Sequence, residues 1–69
     1  MKNAHLINAL IKKLEGEIAV AEANVSVYLN NPAGIGEHSD IVESIEKEVG
    51  KMAEAQDKIE ACQRVLSNV

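Results

Sequence analysis

The sequence has almost no aromatic residues: Tyr28 is the only one among 69 residues, and Phe and Trp are missing. The core must therefore be built from aliphatic side chains, as in coiled coils and helical bundles. Cysteine is equally scarce, because Cys62 stands alone and cannot form a disulfide within the chain. A single thiol and no recognisable signal peptide predict a reducing, cytoplasmic location.

Basic residues are also few. Seven Lys and Arg face eleven Asp and Glu, giving a net charge of −4. A binder of the nucleic-acid backbone needs a basic face, so we expect no nucleic-acid polymer as a partner. No apolar run approaches the roughly 18 residues of a membrane span, so we expect no membrane partner. The sequence offers no metal-ligand cluster and no nucleophile–base pair at recognisable spacing, so we predict no metal, no cofactor, no catalytic residue and no enzyme.

Helix-breaking residues are concentrated in the middle of the chain, where the only proline and two of the four glycines lie. Roughly 28 residues with helical spacing of apolar positions flank this break on either side, a pattern typical of a helical hairpin. Asp40 and Glu43 match a capping box at the start of the second helix. We therefore predict one all-α domain over 1–69, an antiparallel two-helix hairpin with helices at about 3–29 and 39–67 and a loop at about 30–38.

Both predicted helices carry an apolar stripe. The stripe of the first has an unbroken 4-3 spacing and is widened by Leu6, Leu10 and Val27, whereas that of the second, which starts at Val42, slips once near Met52. So short a hairpin can bury only one stripe of each helix, so we expect self-association into a four-helix bundle or higher oligomer. The predicted oligomer seam consists of Ile7, Ile11, Leu14, Ile18, Val25, Ile45, Val49, Met52, Ile59 and Leu66.

Gly16 and Gly50 interrupt the helical segments. If the hairpin turned around Gly34, each would lie opposite an alanine of the other helix, Ala53 and Ala19 respectively. Small residues at one level predict either close helix packing, the simpler interpretation, or a groove for a ligand or partner helix.

The loop and the residues before it contain the best ligand-binding candidates. An aromatic ring with nearby amides suits a nucleotide, and glycines before a helix N-terminus suit an anion. The simpler interpretations are a stripe residue for Tyr28, a tight turn for the glycines and a turn or capping residue for His38. The candidate ligand-binding residues are Asn24, Tyr28, Asn31, Gly34, Gly36 and His38.

The same segment resembles part of a known group of proteins. The resemblance is carried by Tyr28-Leu29, Asn31-Pro32, Gly34-Ile35-Gly36-Glu37-His38 and Asp40-Ile41-Val42-Glu43, and downstream by Ala53-Glu54-Ala55 and Asp57-Lys58-Ile59-Glu60. The group consists of short, uncharacterised proteins of tailed bacteriophages. The resemblance implies a phage protein acting in the host cytoplasm, with two alternative functions. One is an oligomeric, non-enzymatic sponge that sequesters a nucleotide-type immune signal of the host. The other is a protein-interaction module that docks on a host or virion protein through its seam or loop.

Overall fold

The computed structural model describes residues 4–30 and 40–68. Within these ranges the chain is helical except for the capping residues Asp40 and Asn68, and it contains no strand. Helix α1 spans Ala4–Asn30 and α2 spans Ile41–Ser67, and the two pack against each other along their length. The early part of α1 contacts the late part of α2, which makes the pair antiparallel. The predicted helical hairpin is thereby confirmed.

Hydrogen bonds from side chains and from the backbone close the helix ends. The Asp40 carboxylate accepts a hydrogen bond of 3.0 Å from the Glu43 N–H, so the predicted cap of α2 is confirmed. This bond satisfies one of the N–H groups that the first turn of a helix leaves free. At the other end of α2 the Asn68 N–H donates to the Arg64 carbonyl at 3.1 Å. The Asn30 amide donates to the Ser26 carbonyl at 2.8 Å in the last turn of α1.

The apolar stripe predicted for α1 is the face that packs on α2. Leu14 and Ala21 are only 2% and 1% exposed, and the other members are half-buried. Its members keep the 4-3 spacing throughout: Ile7, Ile11, Leu14, Ile18, Ala21, Val25 and Tyr28. The regular apolar repeat of α1 therefore packs against α2 of the same chain.

The stripe predicted for α2 is wrong at two positions. Val42 and Val49 are 77% and 49% exposed, whereas Glu48 is 7% exposed and faces α1. With Glu48 included, the inner face is an unbroken 4-3 repeat: Ile41, Ile45, Glu48, Met52, Ala55, Ile59, Cys62 and Leu66. The predicted slip near Met52 is therefore absent, because helix geometry fixes the inner position even where the residue is polar.

The best-packed part of the hairpin lies away from the loop. Leu14 from α1 packs with Ala55, Ile59 and Cys62 from α2, and three isoleucines of α1 (Ile7, Ile11 and Ile18) lie against this cluster. The Cys62 thiol is free and buried. Nearer the loop, the buried positions are occupied by Ala21 and Glu48, which supply less apolar area. Neither α1 nor α2 has a stretch long and apolar enough to cross a membrane.

The two helix glycines do not lie between the helices, so the close-packing interpretation is wrong. A Cβ atom added at Gly16 or Gly50 would meet nothing within 4 Å. Gly16 lies two residues from both Leu14 and Ile18, which face inward, so it is turned outward. The hairpin pairing also differs from the expected one: Asn24 bonds to Glu48, where a turn around Gly34 would have placed it opposite Ile45.

Candidate interaction surface

One side of the hairpin, which we call the open face, exposes a second stripe of α1. Its large apolar side chains are uncovered: Leu6 is 59% exposed, Leu10 41%, Val20 62% and Val27 55%. They alternate with polar residues in a 4-3 repeat that runs beside the inner stripe: Leu6, Leu10, Lys13, Glu17, Val20, Asn24 and Val27. This arrangement is typical of a helix face that packs on a further helix.

Helix α2 contributes a parallel row to the open face. Lys51 lines the same groove as Lys13 and Glu17, and the charge of Lys58 acts on Glu17, so both lysines lie on this side. The same heptad row then includes, in chain order, Lys51, Glu54, Lys58 and Val65. Val65 is 46% exposed. The open face thus contains five of the eight large apolar side chains that the described residues expose.

A shallow groove of about 580 Å³ lies on the open face and is lined by residues of both helices. Its walls are Lys13, Gly16, Glu17, Val20 and Ala21 of α1 and Glu48 and Lys51 of α2. The missing side chain of Gly16 leaves space beside Val20, since nothing lies within 4 Å of a Cβ built there. Of the two sequence interpretations of the glycines, the groove is therefore the one that fits Gly16.

Four charges occupy the middle of the open face, one opposite pair on each helix. Lys13 donates to Glu17 on α1, and Lys58 lies 3.0 Å from Glu54 on α2. The hydrogen bond and then the charge of Lys13 lower the pKa of Glu17, and Lys58 lowers it further. The hydrogen bond and charge of Glu54 raise the pKa of Lys58. All four side chains are at least 46% exposed, so water screens these pairs and leaves them available to new partners.

A polar bridge joins the two helices beside the groove. The Asn24 amide donates to Oε1 of Glu48 at 3.0 Å, and Lys51 Nζ donates to Oε2 at 3.1 Å. The bond from Asn24, followed by that from Lys51, lowers the pKa of the Glu48 carboxyl. Both oxygens of this buried carboxylate are thereby satisfied, as a charge at an inner position requires.

The remaining exposed apolar residues lie outside the open face. Leu29 is 65% exposed at the end of α1, and Val42 and Val49 are spaced by one heptad on α2. These three belong to the half of the hairpin nearer the loop. The outer side of α1 is polar, and Lys12 and Glu15 form a 3.8 Å pair there.

The structure brings together only part of the predicted ligand site. Tyr28 is half-buried in the inner stripe, and Asn24, four residues before it, is engaged by Glu48. Asn31, Gly34, Gly36 and His38 lie outside the described residues. Of the predicted oligomer seam, all members except Val49 are buried or half-buried between α1 and α2. Their use in a contact between copies stays a prediction.

The sequence did not lead us to Glu48, to Lys51 or to the fact that the charged pairs of α1 and α2 share one face. The signal was present in the spacing, since a 4-3 repeat from Ile41 to Leu66 has an inner position at 48. A stripe drawn through apolar residues alone replaces it with Val49. In three comparisons, no protein-family model, no curated protein and no solved structure matches this chain.

Proposed function

We propose that the chain is a small, non-enzymatic protein-interaction module that assembles through its open face into a four-helix bundle. The observation that carries this proposal is the heptad-spaced row from Leu6 to Val27, whose four large apolar side chains α2 leaves uncovered. Burying one such side chain fully is worth roughly 1.5–3 kcal/mol, so several of them supply a substantial driving force for association. A two-layer bundle of two hairpins covers this stripe without changing the inner one.

The three exposed apolar residues outside the open face stay accessible in such a bundle. Leu29, Val42 and Val49 would then present an apolar surface near the loop to a different protein. The resemblance to tailed-bacteriophage proteins makes a host or virion protein the proposed partner. This division gives one surface to self-association and another to docking.

The nucleotide-sponge hypothesis stays a prediction from the sequence. Four of its six candidate residues lie outside the described residues, and the amide nitrogen of Asn24 is already bonded to Glu48. Native mass spectrometry with a panel of linear and cyclic nucleotides tests it: a stoichiometric nucleotide mass that disappears in the Tyr28→Ala/His38→Ala variant would favour the sponge over the docking module.

The assembly is tested by sedimentation equilibrium on the double variant Leu10→Glu/Val20→Glu. We expect the wild type to be a dimer or a higher oligomer and this variant to be a monomer, because two charges would have to be buried in the contact. Circular dichroism in the same buffer reports whether the helices persist.

The matched control is Val42→Glu/Val49→Glu, which adds the same two charges outside the open face. This control should keep the wild-type mass while losing the docking of a protein partner. A control that dissociates as readily as the open-face variant would contradict the assignment of the two surfaces.

A further inference from the structure

We infer that two copies of this chain pair end for end across the open face, so that the lysines of each lie over the glutamates of the other. This inference rests on the proposed self-association and adds the orientation of the second copy. It follows from the order of charged and apolar residues along both helices.

The row on α1 is complementary to itself in one antiparallel register. A two-fold axis crossing the helices at the level of Glu15 places Lys13 of one copy opposite Glu17 of the other, and Leu10 opposite Val20. Moving the axis by half a turn to Glu17 places that carboxylate opposite its own copy and brings Lys13 to the level of Ala21, so both attractive contacts are lost. A parallel pairing places each charge opposite itself, which is unfavourable.

The charged row on α2 independently requires a two-fold axis at nearly the same level. The bond between Asn24 and Glu48 fixes the relative level of the helices: Glu15 is nine residues before Asn24, and nine residues after Glu48 is Asp57. The midpoint of Glu54 and Lys58 is residue 56, one residue away, or about 1.5 Å along the helix. The same axis therefore places Glu54 of each copy opposite Lys58 of the other.

The alternative bundle, with α1 lying on α2 of the second copy at the same level, is electrostatically unfavourable. Lys13 and Lys58 lie at about one level of the hairpin, and Glu17 and Glu54 at the next. A two-fold axis parallel to the helices would place lysine over lysine and glutamate over glutamate, and like charges in contact oppose association. The order of charges thus favours the end-for-end bundle, with the two loops at opposite ends.

The groove has an occupant in this arrangement. Leu10 of the second copy comes opposite Val20, beside the space that Gly16 leaves open. Leu10 is 41% and Val20 is 62% exposed in the single hairpin, so the contact covers both. Lys13 and Glu17 lie on either side of the two-fold axis, where each meets its new partner.

The test uses two single charge reversals, Lys13→Glu and Glu17→Lys, in the full chain. Each homodimer then has two like-charge contacts, and we expect each to dissociate about ten-fold more readily than wild type at low salt. A mixture of the two variants restores both attractive contacts. We therefore expect native mass spectrometry of the equimolar mixture to show heterodimer well above the statistical half.

The matched control is the pair Lys12→Glu and Glu15→Lys. It makes the same changes in net charge at an exposed ion pair of α1 that lies outside the open face. We expect its mixture to give heterodimer and homodimers in statistical proportion, which separates local contacts from overall charge.

Three results would overturn parts of this account in distinguishable ways. A statistical mixture of the open-face variants, from a dimeric wild type, would contradict the end-for-end orientation and leave self-association standing. A Lys13→Glu homodimer tighter than wild type would favour α1 on α2 of the second copy, because the new carboxylate would face Lys58. A monomeric wild type would overturn both the orientation and the proposed function.

Discussion

Glu48 is the residue at which sequence pattern and physical requirement diverge most. A carboxylate at an inner heptad position costs desolvation energy, and this one is held by an amide from the opposite helix and an ammonium from its own. Since α1 supplies Asn24, the bond also fixes how far the helices slide past each other. The polar bridge therefore contributes to register, a role for which inner polar residues of coiled coils are known.

The bridge at Glu48 makes the free energy of unfolding depend on pH. The pKa of Glu48 is lowered by folding from its ordinary value of 4.5, so its contribution is fully present above that value and is lost as pH falls through the lowered pKa. We predict that Glu48→Gln reduces the loss of stability between pH 7 and acid pH, measured as urea midpoints at one protein concentration. Glu17, whose pKa is also lowered, keeps part of the acid dependence in this variant.

The control for this acid dependence is Glu46→Gln, which removes one carboxylate from an exposed position two residues away. It should retain the wild-type difference between the two pH values. Equal behaviour of the two variants would show that net charge, and not the bridge to Asn24, sets the acid dependence.

The glycines allow a second residue-scale prediction. Gly50→Ala should raise the free energy of unfolding by about 0.5–1 kcal/mol, because alanine favours the helix and its methyl group meets nothing within 4 Å. Gly16→Ala should raise the free energy of unfolding by a smaller amount, because Leu10 of a second copy occupies the space beside it in the proposed dimer. Thermal unfolding at matched concentration measures both, and a destabilised Gly50→Ala would reveal a contact that the single hairpin does not contain.

At the scale of elements, α1 was predictable and α2 only in part. The inner stripe of α1 is apolar at each position, so its spacing alone identifies the residues that face α2. The α2 repeat contains one charge, so hydrophobicity alone misplaces Val42 and Val49. The open face was harder to predict. Its charged residues come from both helices, and the sequence alone does not show which residues of α1 and α2 lie on the same side of the hairpin.

The packed cluster gives the sharpest prediction for an element. Ile59→Ala should lower the free energy of unfolding by about 2–5 kcal/mol, since the side chain is 6% exposed against Leu14 and its neighbours. Val42→Ala, at a position that is 77% exposed, should change it by less than about 0.5 kcal/mol. Chemical denaturation of both variants measures the difference; similar values would contradict the inner stripe assigned to α2.

At the scale of the whole molecule, the hairpin resembles one of the two layers of a four-helix bundle. Its inner stripe is covered, but five large apolar side chains remain exposed in one heptad-spaced face around four screened charges. A chain of this size has a small core of its own, and a second layer supplies the missing burial. The exposed residues near the loop are then the ones left for other partners.

The mass of the wild-type protein in solution tests this account most directly. Sedimentation equilibrium over a hundred-fold range of concentration should give twice the 7.4 kDa of one chain, or a higher multiple, with the monomer appearing only on dilution. A folded species of 7.4 kDa throughout that range would show that a single hairpin is stable with its apolar face exposed, and would contradict the central claim.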